Sequence, residues 1–101
     1  MRVTKRHVFE PSAFDPPDQD QYEYWIYEFT LEGREYQVRR YTDQPDVATI
    51  LSNIRNADQQ ALADAAEIAR HLIENEGVRT IYRYDTKTGG FGPKIAPAAR
   101  P

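Results

Sequence analysis

Tyr22-Glu23-Tyr24-Trp25-Ile26-Tyr27-Glu28-Phe29-Thr30-Leu31-Glu32-Gly33-Arg34-Glu35-Tyr36-Gln37-Val38-Arg39-Arg40-Tyr41 is the stretch that decides the fold. Side chains of a strand point alternately to its two faces, so Trp25, Tyr27, Phe29 and Leu31 share one side while Tyr24, Ile26, Glu28 and Thr30 share the other. The fully apolar Trp25 side is the expected inner one. Glu32-Gly33 supplies a residue able to take positive φ, and the return strand sets Tyr36 and Val38 opposite Glu35, Gln37 and Arg39. The stretch predicts a β-hairpin.

Downstream, Val47, Ile50, Leu51 and Ile54 fit helical spacing, but Val47-Ala48-Thr49-Ile50-Leu51 is short, β-branched and bounded by turn formers. A strand is the preferred reading. Ala57 to Glu76 predicts a long amphipathic helix, with Asn56 as cap, Gln59 at the capping-box position and Gly77 able to end it in the left-handed conformation. Its apolar stripe is Ala61, Leu62, Ala65, Ile68, Ala69, Leu72 and Ile73. The alanines imply a close approach of helix to sheet. Val78 to Tyr84 is rich in strand formers, and Asp85 to Gly90 has the composition of a hairpin loop. A last strand over Phe91 to Ile95 is confined to a sheet edge by Pro93, which has no N–H to donate.

Upstream, Arg2 to Phe9 alternates weakly and predicts an edge strand, while Pro11, Pro16 and Pro17 with Asp15, Asp18 and Asp20 make 11–21 a loop. Ala96 to Pro101 lacks a large apolar anchor and is expected to be a mobile tail beyond a single domain spanning 1–95. These elements add up to an α+β fold: an antiparallel or mixed sheet of four to five strands with one long helix packed on one face.

A chain of 101 residues supports one modest core. With no cysteine it forms no disulfide and no thiolate metal site, which suits a reducing compartment. Arg2, Lys5 and Arg6 are not followed by the apolar run of a signal peptide, and no window is apolar enough to span a bilayer. A cytoplasmic location is expected, without membrane association. The net charge of −3 is unevenly spread: the helix is acidic and the segment after Gly77 is basic. Mutual neutralisation of the two is the simplest account.

Arginine and tyrosine interleave in Arg39-Arg40-Tyr41 and in Tyr82-Arg83-Tyr84. Rings can stack on bases while guanidinium groups contact phosphate, so these six residues are the candidate nucleic-acid or interaction surface. The preferred account is cross-strand Arg/Tyr pairing, with Glu23, Glu28 and Glu35 available to neutralise the cations. Asp64, Glu67, His71 and Glu74 recur at helical spacing, and Glu67 with His71 are weak metal or acid–base candidates. The second histidine of an H-E-x-x-H helix is missing, and a solvated polar face is preferred. Thr88-Gly89-Gly90-Phe91-Gly92-Pro93-Lys94 lacks the G-K-[ST] of a phosphate loop, and Ser12 and Ser52 sit in no triad context. Glu74 and Glu76 oppose the helix dipole and are expected to meet Arg79 or Arg83.

No metal or cofactor is implied. The expected function is a non-catalytic module acting by protein–protein contact or self-association, because seven tyrosines and one tryptophan exceed what a small core hides. The alternative is a nucleic-acid-binding module, disfavoured by the acidic balance because nonspecific affinity rests on releasing counterions from phosphates.

Overall fold

Two consecutive residues with positive φ, Glu32 at +48° and Gly33 at +83°, make the tight turn whose twist matches that of paired strands. It joins β2 (Tyr22–Leu31) to β3 (Arg34–Tyr41), with Leu31 opposite Arg34 and Tyr24 opposite Tyr41. The computed structural model describes residues 1–10, 22–51, 59–85, 89–92 and 94–98. The expected loop at 11–21 and the Asn56 cap lie outside them.

β1 (Arg2–Glu10) runs antiparallel along the whole of β2 and forms one edge of the sheet, as its alternation predicts. β4 (Val47–Ile50) lies antiparallel to β3, so the ambiguous segment is a strand over these four residues. Its β-branched Val47, Thr49 and Ile50 suit a pleated surface, and Ala48 and Ile50 are its buried side. α1 (Gln59–Glu76) then crosses over to β5 (Thr80–Asp85), which pairs parallel to β4 from Val47 opposite Thr80 to Ile50 opposite Arg83. A parallel neighbour cannot be reached by a tight turn, and the helix supplies the crossover. β6 (Gly90–Phe91) returns antiparallel to β5 at the other edge. The protein is thus a small single α+β domain, whose described residues form one mixed sheet in the order β1-β2-β3-β4-β5-β6 and one helix. The sheet has six strands where four to five were expected.

Gly77, at φ +72°, turns the chain out of α1, and the Val78 N–H donates back to the Leu72 carbonyl at 3.3 Å. Ala61, Ala65, Ile68, Ala69 and Leu72 bury against Tyr27, Phe29, Tyr36, Val38, Ala48, Ile50, Val78 and Ile81. Full burial of Ile68 and Leu72 contributes about 3 to 6 kcal/mol before chain entropy is counted. Leu62, Ile73 and Trp25 are only partly buried at the margin of this core. Past β6 the chain stays on the fold: the Ile95 N–H donates to the Ile81 carbonyl and the Ala98 N–H to the Ala66 carbonyl of the helix, both at 2.9 Å. The expected tail from Ala96 is therefore hydrogen-bonded to α1 as far as Ala98, and residues 99–101 lie outside the described range.

Strand parity assigns the faces. Phe29, Tyr36, Val38, Ile50 and Ile81 look towards α1, and Tyr24, Ile26, Arg39, Tyr41, Thr49, Tyr82 and Tyr84 look away from it. The away side is not uniformly exposed. Tyr24 and Ile26 are 3% and 5% exposed there, with the Arg39 guanidinium 4.6 Å from the Tyr24 ring centre and the Tyr41 ring at 5.3 Å.

Candidate functional site

Alternation along a strand splits the six candidate residues between the two faces. Arg39, Tyr41, Tyr82 and Tyr84 lie on the helix-free face, whereas Arg40 and Arg83 share the parity of Val38 and Ile81 and lie on the helix side. Arg40 donates from Nε to the Pro45 carbonyl at 2.8 Å and from Nη1 to the Tyr27 hydroxyl at 3.0 Å. Arg83 is 7% exposed and packs against Gly92, where an added Cβ would collide with its Nε and lie 3.0 Å from its Cγ. Both arginines are held by contacts within the fold.

Three of the other four, Arg39, Tyr41 and Tyr82, are brought together across β4. Arg39, Tyr41, Val47, Thr49, Tyr82 and Phe91 line an open groove of about 460 Å³ on the helix-free face. Arg39 Nη1 donates to the Tyr41 hydroxyl at 3.4 Å on one wall. On the other, Phe91 stands edge-on to Tyr84, with ring centres 5.1 Å apart, and to Tyr82 at 6.3 Å. Phe91 is 68% exposed. The Lys94 ammonium lies 5.6 Å from the centre of the Tyr82 ring. Tyr84 touches Phe91 but is not itself a lining residue. The sequence-level candidates did not include Phe91, Val47, Thr49 or Lys94, although Phe91 falls opposite Tyr84 once the Asp85–Gly90 hairpin is paired.

Helix polarity also differs from expectation. Asp64, placed by sequence on a solvated face, is 3% exposed. Its carboxylate accepts from Arg34 Nε at 2.6 Å and Nη2 at 3.1 Å, from the Tyr36 hydroxyl at 2.5 Å and from Gln60 Nε2 at 3.1 Å. A bidentate guanidinium with two further donors satisfies a buried carboxylate and ties α1 to the first residues of β3. The Arg34 hydrogen bond, reinforced by those from Tyr36 and Gln60, holds the Asp64 carboxyl below its ordinary value against the opposing effect of burial. Burial first, and then the neighbouring carboxylate, push the Tyr36 hydroxyl up to about 12. Asp64 likewise raises the Arg34 guanidinium. A carboxylate held charged by a fixed cation is a clamp, not a group poised to exchange protons near neutrality.

The weak metal candidates do not assemble. Glu67 accepts from Arg70 Nη2 at 2.8 Å, while the His71 ring stands edge-on to Phe29 at 5.5 Å and its Nδ1 lies 3.4 Å from Asn75 Nδ2. Among the described residues no group of three His, Asp or Glu side chains could hold a metal ion, and no helix is long and apolar enough to cross a membrane. Glu76, expected to meet Arg79 or Arg83, instead meets Lys5 at 3.4 Å and Arg40 at 4.0 Å. Strand order explains the change, because the C-terminal end of α1 reaches over β1 to β3.

Compared with protein-family models, curated proteins and solved structures, the chain matches none of them.

Proposed function

We propose that the protein is a non-catalytic interaction module whose helix-free sheet face docks a segment of a partner protein. One observation carries this: Tyr41, Tyr82 and the two-thirds-exposed Phe91 surround a single open groove on the face that α1 leaves uncovered. Aromatic side chains offer large contact area at low entropic cost and are enriched, with arginine, at protein interfaces. Self-association through the same groove is the homotypic form of this reading.

Panning a random peptide library in parallel on the wild-type protein and on Phe91→Ala tests it, with sedimentation equilibrium to detect self-association. Peptides enriched on the wild type and lost on Phe91→Ala support the reading. Equal enrichment on both proteins, or none on either with a monomer at all concentrations, would sink it.

A second reading, single-stranded nucleic acid stacked on the same rings, draws support from Arg39, Tyr41 and Tyr82 sharing the groove. It loses Arg40 and Arg83 as phosphate contacts, and the chain's net charge of −3 opposes it.

A further inference from the structure

Resting on the docking reading above, we infer that the occupant of the groove is a short acidic peptide segment that seats one aromatic side chain among Tyr41, Tyr82 and Phe91. Shape and charge both bear on this. A volume of about 460 Å³ lies towards the lower part of the roughly 300 to 1,000 Å³ range of small-ligand sites. It suits one large side chain with its neighbours. Rings meet rings favourably when offset or edge-on, the arrangement Phe91 already adopts with Tyr82 and Tyr84.

The charge of the lining fixes the sign of the partner. Arg39 is inside the groove, Lys94 sits beside the Tyr82 ring at its margin, and no carboxylate is among the described lining residues. Four of the described carboxylates, Asp64, Glu67, Glu74 and Glu76, belong to α1, which packs on the opposite face of the sheet. Acidic groups flanking the inserted ring therefore meet Arg39 and Lys94 as opposite charges, whereas basic ones meet the same two as like charges.

A polynucleotide fits the surroundings less well. Extended from the groove towards β1, its phosphates would pass a second depression, where Glu28 and Glu35 outnumber the one cation, Arg2, among the lining residues. A short acidic peptide needs only the two cations at the groove.

Fluorescence anisotropy at low salt distinguishes the possibilities, using labelled peptides with a central Trp flanked by Asp/Glu, by Lys/Arg or by Ser/Gly, and an oligothymidylate. The acidic peptide is expected to bind about tenfold more tightly than the basic one, with the gap narrowing as salt is added. Lys94→Gln is expected to weaken it by about threefold and Phe91→Ala by about tenfold, with the circular dichroism spectrum unchanged in both. Neutral or basic peptides binding as tightly in a Phe91-dependent way would overturn the acidic assignment and leave the docking reading standing. Oligothymidylate binding more tightly than every peptide, and lost in Phe91→Ala, would overturn it in favour of nucleic acid. Binding of no probe that responds to Phe91→Ala would overturn both the assignment and the docking reading.

Discussion

The two faces of this sheet are built from the same kinds of residue and end in opposite conditions. On the helix side, Tyr27, Phe29, Val38, Ile50 and Ile81 are sealed beneath Ile68 and Leu72. On the other side, burial fades across the sheet: Tyr24 and Ile26 are covered, Tyr41, Tyr82 and Tyr84 are half-buried, and Phe91 stands in solvent. Hydrophobic content does not separate the sealed face from the open one; what lies over each ring does. Exposed singly, a Phe is ordinary, and it is the cluster of rings around one groove on which the proposed docking function rests.

The sharpest way to break that contrast is to truncate one apolar side chain on each face. Leu72→Ala should cost about 2 to 5 kcal/mol, since it removes fully buried atoms and leaves a cavity between helix and sheet. The measurement is the urea midpoint at constant m value. A loss near zero would mean that α1 does not seal the core.

Next in size, Asp64→Asn should destabilise the protein by about 1 to 3 kcal/mol at neutral pH, because Arg34 and Tyr36 lose a charged acceptor in a buried position. The pH dependence has a definite sign. With its folded pKa below the ordinary 3.8, Asp64 stabilises fully above that pH, and the contribution drains away as the pH falls from there through the lower folded value. Acid unfolding followed by circular dichroism should therefore lose this component in Asp64→Asn. A wild-type and variant pair with identical acid profiles would show that the clamp contributes nothing.

Tyr36→Phe probes the same clamp from the alkaline side and should cost about 0.5 to 1.5 kcal/mol at neutral pH. The folded pKa is raised from 10.0 to about 12, so the hydroxyl's contribution is intact below pH 10 and is lost as the pH climbs towards 12. Tyrosinate absorbance during a pH titration should show a late-ionising component that disappears in Tyr36→Phe. Smallest of all, Phe91→Ala should change stability by no more than about 0.5 kcal/mol, as expected where little is buried. A cost comparable to that of Leu72→Ala would abolish the distinction between the faces.

The local structure was largely written in the residues. Glu32-Gly33, the period of two on either side of it and the stripe from Ala61 to Ile73 predicted the hairpin, the face that α1 covers and the helix itself, all of which depend on short-range sterics and periodicity. Trp25 marked the correct face but is only partly buried, because it lies at the rim of the helix footprint. Less legible was anything that depends on which strands become neighbours. Reading Arg39-Arg40-Tyr41 as one surface overlooked parity, since the rule that sets Val38 inward sets Arg40 inward too. The same rule separates Arg83 from Tyr82 and Tyr84. Asp64 carried its own signal: three residues after Ala61 and four before Ile68, it falls within the apolar stripe, where an acid needs a partner. That partner, Arg34, is thirty positions away, and no local pattern announces it.

The lone tryptophan has a practical consequence. Its indole faces α1 from β2, under the Lys5 ammonium at 4.5 Å and beside the His7 imidazole at 4.8 Å, and both of these groups come from β1. Trp25 emission is thus a built-in optical gauge of the outermost strand. Should β1 peel away while the rest stays folded, the spectrum would shift to the red before far-ultraviolet ellipticity is lost, and the fraying of one edge could be timed separately from collapse of the whole domain.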